Sequence, residues 1–168
     1  VLGIEGLHAL DGESNNIDTL YEAGFRVMGL QHFFDNKLGG SLHGESNSGL
    51  TTFGNDVLLK MLAKDIIIDL AHSSEQVVED VLARSNTPVI VSHTGFKGHC
   101  DTPRNISDTL MIKIAQQGGL IGVGYWDAAI CGSSIQSIVE SIRYGINLVG
   151  VNHIALGSDF DGAINSPI

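Results

Sequence analysis

Two apolar runs in this sequence close on a histidine. Residues 66–74 read IIIDLAHSS and deliver His72; residues 88–95 read PVIVSHTG and deliver His93. Four further runs end on a polar or aromatic group. GIEG gives Glu5, MGLQH gives His32, GYWD gives Tyr125 to Asp127, and IALGSDFDG gives Asp159 and Asp161. Neutral imidazole and carboxylate are good ligands for zinc and similar divalent ions. A carboxylate can also bridge two metals about 3.5–4 Å apart, so that both polarise one substrate. Glu5, His72 and His93 would supply a bridge and two imidazoles. Two catalytic zincs need more, about three protein ligands each, so the missing ligands are expected on strands that precede residue 1. A lone strand-end histidine is more often structural than ligating, and it is the recurrence at successive ends that favours a metal. His8, His43, His99 and His153 follow no such pattern and read as surface or supporting residues, with His8 the exception to watch because it lies near Glu5. The SDFDG acids also fit a simple turn, since Asp-Gly favours one, and a residue such as Trp126 more often packs than contacts substrate.

The elements that would carry these groups alternate. Strand-length apolar runs cover 1–4, 26–30, 66–71, 89–92, 120–124 and 153–157. Stretches of helical period cover 17–23, 55–63, 75–83, 108–117 and 135–148. Ser73 with Gln76 fits a capping box, Ser107 before Asp108 fits a capped helix start, and Gly24 and Gly118 fit left-handed helix ends. The long Gly- and Ser-rich stretch 33–52 reads as an active-site loop. Strand–helix alternation implies βαβ units on a parallel sheet, either an open doubly wound sheet or a closed (β/α)8 barrel. No GxGxxG follows the first strand and no GxxxxGK[ST] occurs, which weakens the nucleotide-binding form of the open sheet. In barrels the chemistry sits at the C-terminal ends of the strands, where all the groups named above fall.

Composition sets the outer bounds. The 168 residues suit one domain, with 43% hydrophobic and 17% charged residues. A net charge of −10 disfavours nonspecific binding to nucleic acid or anionic membranes. No run reaches the length of a membrane span. Cys100 and Cys131 make neither a disulfide framework nor a zinc spacing, and the lack of a recognisable pair leans toward a bacterial, cytoplasmic setting. The chain opens on Val1 rather than Met, in what reads as mid-strand, so it reads as an excerpt of a longer protein lacking two of eight strands.

In combination, GIEGLHAL, GLTTFGNDVLLKML, IIDLAHSS, PVIVSHTG, CDTPRNISD and GSDFDG closely resemble the membrane dipeptidase family, peptidase family M19, from the first residue to about Ala163. The resemblance implies a partial (β/α)8 barrel of the metal-dependent hydrolase superfamily. It implies two zincs per complete active site and hydrolysis of dipeptides, including those with a C-terminal D-residue, by a metal-bridging hydroxide. It also implies a possible homodimer. Residue by residue, Glu5 resembles the bridging carboxylate, and His72 and His93 the two histidines of one zinc. His32 resembles the histidine that steadies the tetrahedral intermediate, Arg104 the arginine that holds the substrate carboxylate, and Asp159 the proton shuttle. The first-strand His-x-Asp ligands have no counterpart here. GYW stands where the family often has Asn-Phe-Tyr, so Trp126, or Tyr125 one place earlier, takes the position of the substrate-side tyrosine. Leu7 stands where a second Gly is usual. Another metal hydrolase on the same barrel, a lactonase or deaminase, is the rival activity, and a fragment of this length is expected to be inactive by itself.

Overall fold

Apolar runs become strands and amphipathic stretches become helices in the computed structural model, which describes residues 1–160 and 162. Asp161 lies outside the described residues. The chain forms two compact units, Val1–Val89 and Ile90–Ile168. In the first, β1 (Leu2–Ile4), β2 (Phe25–Gly29) and β3 (Ile67–Asp69) pair in parallel with β2 in the middle. The crossovers are α1 (Asn16–Glu22) and α2 (Thr52–Ala63), and α3 (Glu75–Arg84) follows β3. In the second, β4 (Ile90–Thr94), β5 (Leu120–Val123) and β6 (Ile154–Leu156) repeat the arrangement around β5. Helix α4 (Asp108–Gln116) joins β4 to β5; the short α5 (Asp127–Ile130) and the long α6 (Ile135–Val149) lead to β6. All of these pairings are parallel, as βα alternation requires.

Local chemistry explains where the elements begin. Helix α2 starts at Thr52, three residues before the helical stretch read from the sequence, because Thr51 Oγ1 accepts from the Gly54 amide at 3.0 Å. Val57, Leu58 and Met61 then form its fully buried face. Helix α3 is capped by Ser74, not Ser73: Ser74 Oγ accepts from the Val77 amide at 3.1 Å. Ser73 is spent elsewhere, its hydroxyl donating to Gln31 Oε1 at 2.7 Å. Ser107 does occupy the N-cap of α4, without a capping hydrogen bond from its side chain. Gly24 and Gly118 end their helices at φ 99° and 80°. Among the described residues, no helix is long and apolar enough to cross a membrane.

Cys100 and Cys131 are joined in a disulfide, which corrects the expectation that they form no pair. Their separation of 31 residues matches no short spacing rule. The β4–α4–β5 crossover returns the chain to the loop it left, and only that topology makes them neighbours. Protein disulfides persist in oxidising compartments, so the leaning toward a cytoplasmic setting loses its ground. Closing a loop of this length removes about 3–4 kcal/mol of unfolded-chain entropy. A Cys100→Ser, Cys131→Ser protein is therefore expected to lose stability of that order in urea unfolding. A loss under about 1 kcal/mol would show that the bridge constrains little.

Candidate active site

Glu5 leaves β1 at the C-terminal end of its strand, and two imidazoles meet it there. His72 Nε2 lies 2.9 Å from Glu5 Oε1, and His32 Nε2 lies 3.5 Å from Oε2. The two rings stand edge to face with centroids 4.8 Å apart. His72 is buried, whereas Glu5 and His32 are open to solvent along one side. The chain can turn sharply after Glu5 because Gly6 holds φ +85°; a Cβ there would sit 2.7 Å from His8 Nδ1 and 3.1 Å from His32 Cβ.

His72 is placed by a turn that the preceding residues build. Asp69 Oδ1 accepts from the Ala71 amide at 3.0 Å, and the Ser73 amide closes the turn on the Leu70 carbonyl at 3.1 Å. His72 takes φ 66°, a left-handed conformation usually left to Gly or Asn. Asp159, which follows β6, has φ 57°. Each such residue stores about 1–2 kcal/mol of steric cost, and strain of this kind gathers at functional sites.

The second unit carries its own cluster. The register of β4 against β5 slips between Val91 and Thr94, the kind of irregularity that re-aims a side chain. His93 therefore lies inside the strand's last residues rather than just beyond it. The Ser92 carbonyl is approached so closely by Gly122 and Gly157 that a Cβ at either would come within 2.1 and 2.4 Å of its oxygen. Ser92 Oγ sits 2.9 Å from His93 Nδ1. Arg104 is buried; its Nη2 donates to the His93 carbonyl at 2.8 Å, and its guanidinium lies 5.2 Å from the Trp126 ring centroid. Trp126 also faces His93, centroids 5.9 Å apart. Tyr125 is buried and pairs with Phe160 instead. The loop bearing Arg104 is tied to α5 by the disulfide to Cys131 at its C-terminal end, by Thr102 Oγ1 to the Ala128 carbonyl at 2.7 Å, and by Asn105 Nδ2 to the Ala129 carbonyl at 3.0 Å.

The profile described as "Membrane dipeptidase (Peptidase family M19)" matches residues 1–167. The chain belongs to the membrane dipeptidase family. An uncharacterized dipeptidase of Schizosaccharomyces pombe is 33% identical over 96% of the chain. An amidohydrolase from Pseudomonas aeruginosa superposes on 97% of the chain with a TM-score of 0.89 at 28% identity. A metallopeptidase from Rhodobacter sphaeroides, solved with a phosphinate mimic of the dipeptide L-Ala-D-Ala, covers 99% with a TM-score of 0.85 at 22% identity. The chain spans 41% of the yeast relative and 51% of each of these two solved chains. Likeness at this level gives the chain the α/β fold of the membrane dipeptidase family and agrees with about six βα units of a (β/α)8 barrel.

Among the membrane dipeptidase positions, the first unit thus gathers Glu5, His32 and His72, and the second gathers His93, Arg104 and Trp126. Asp159 stands at the end of β6, where the Gly162 amide donates to its backbone carbonyl at 3.0 Å. Two residues escaped the strand-end rule. Asp69 shapes the His72 turn from within its strand. His43 lies 5.3 Å, ring to ring, from His72; it sits in an irregular loop, and no periodic pattern could place it there.

Proposed function

We propose that the full-length protein is a zinc-dependent dipeptidase that also accepts a C-terminal D-residue. The observation that carries this reading is the Glu5 carboxylate flanked by His72 and His32 at 2.9 and 3.5 Å. The donor set suits a divalent cation: one anionic oxygen and imidazole nitrogen, on strand ends held by turns. Glu5, His72 and His93 would hold the metals, with further ligands from outside this chain. Ser92 Oγ beside His93 Nδ1 is the sort of outer hydrogen bond that fixes a ligand's tautomer. Bound zinc supplies Lewis acidity and lowers the pKa of water toward about 7.

The remaining steps fall to the chain's own side chains. His32 donates to the oxyanion as the peptide carbonyl becomes tetrahedral, a term worth about 3–4 kcal/mol for a well-placed donor. Asp159 takes the proton of the attacking water and returns it to the departing amine. Arg104 holds the substrate's terminal carboxylate through a two-pronged, charge-assisted contact, with Trp126 beside it. Recognition of a free carboxylate next to the cleavage point restricts substrates to very short peptides.

The test is hydrolysis of alanyl dipeptides by the full-length protein, before and after chelation. Turnover that disappears with 1,10-phenanthroline and returns with added zinc is the expected result. Turnover indifferent to the chelator, or none with zinc present, contradicts the reading.

A further inference from the structure

The loop after β2 is built into the histidine cluster. Ser41 Oγ donates to the His32 carbonyl at 2.5 Å, and the Leu42 amide donates to the His72 carbonyl at 2.8 Å. The His43 amide donates to Ser41 Oγ at 3.2 Å. The two strand-end histidines therefore grip Ser41 and Leu42 by their own carbonyls, and Ser41 in turn holds the His43 amide. Asp35 fastens the loop from behind. Its carboxylate accepts from the amides of Ser41, Ser46 and Glu45 at 2.8, 3.0 and 3.1 Å. Those amides, Ser41's first and Ser46's next, hold its pKa below the ordinary carboxylate value.

This loop presents rings at the cluster. Phe33 packs on His32, His43 and His72, with centroid distances of 4.5, 5.1 and 5.4 Å. Phe33 nevertheless remains 48% exposed, and Phe34 next to it is 81% exposed. An open aromatic surface on a hydrogen-bonded frame, beside candidate metal ligands, marks a place where apolar groups are received.

We propose that Phe33 and His43, extended by Phe34, form the wall that receives an apolar or aromatic side chain of the bound dipeptide. The proposal rests on the dipeptidase reading for the identity of the ligand. It assigns Phe33 and His43 to substrate selectivity, by contact with the side chain.

The experiment uses the full-length, zinc-supplemented protein with Gly-Gly, Phe-Gly and Gly-Phe. The readout is the ratio of kcat/KM for each benzyl-bearing dipeptide to that for Gly-Gly, taken within one protein preparation so that any unfolded fraction cancels. The unmodified protein is expected to favour a benzyl group at one of the two positions by about tenfold or more. Phe33→Ala and His43→Ala are each expected to lower that ratio about tenfold, and His43→Phe, which keeps a flat ring, to retain it. A ratio unmoved by both alanine variants overturns the proposal. If no dipeptide is hydrolysed, the dipeptidase reading fails, and calorimetric binding of the same three dipeptides decides the wall separately. Tighter binding of a benzyl-bearing dipeptide, lost in both alanine variants, upholds the wall; equal binding of all three overturns it.

Discussion

Glu5→Gln in the full-length, zinc-supplemented protein is expected to lower kcat for dipeptides by about a thousandfold or more, roughly 4 kcal/mol of barrier. The substitution keeps the size of the side chain and an acceptor oxygen for His72 Nε2, now 2.9 Å away. The fold is therefore expected to survive it. What is lost is the negative charge, and with it the bridging ligand proposed above, because a neutral amide binds a hard or borderline cation far more weakly than a carboxylate does. The check is kcat together with metal content per chain. A fall in both follows from a ligand role. Activity within tenfold of the parent protein would mean that Glu5 only orients the two imidazoles.

Arg104→Ala carries the second large effect, and here two roles must be separated. The guanidinium already spends Nη2 on the His93 carbonyl at 2.8 Å and reaches Thr94 Oγ1 at 3.5 Å. Removing it leaves a buried carbonyl short of a donor, a cost of about 1–3 kcal/mol in stability. That alone would reduce the folded fraction without touching KM. Loss of the carboxylate clamp raises KM, by about tenfold to a hundredfold for one charge-assisted contact. Arg104→Lys supplies the control: it restores the charge without the two-pronged geometry, so KM should recover only in part. An unchanged KM in the alanine variant, at a temperature where the protein stays folded, would remove Arg104 from substrate binding.

The sequence made the βα framework legible wherever the code is local. Apolar runs such as 66–71 and 120–124 became β3 and β5, trimmed by a residue or more where turns begin. Helices with an unbroken apolar stripe, such as α3 and α6, were located to within a residue or so at each end. Glu5, His32 and His72 were legible because strands running in parallel deliver their ends to one side, a rule that needs only the strand boundaries. Features that depend on chain return were not legible. The Cys100–Cys131 bridge and the Thr102–Ala128 hydrogen bond exist because a crossover brings distant segments together. Ser73 and Ser74 are equivalent as caps in the sequence, and Gln31, forty-two residues earlier, decides which hydroxyl remains to cap. His43 is the instructive omission. Its place is fixed by carbonyls of His32 and His72 that any residues could offer, so no side-chain pattern announces it.

The central claim is that Glu5 and His72 hold a divalent cation rather than each other. Ligand atoms sharing one tetrahedral zinc lie about 3.3 Å apart, each at about 2.0–2.2 Å from the ion, whereas this pair stands in direct hydrogen-bond contact at 2.9 Å. Diffraction from zinc-soaked crystals of the full-length protein, collected on both sides of the zinc absorption edge, distinguishes the two. The account predicts an anomalous peak within ligand distance of both the Glu5 carboxylate and His72 Nε2. Full zinc occupancy elsewhere, with the Glu5–His72 hydrogen bond intact and no peak between them, would contradict it.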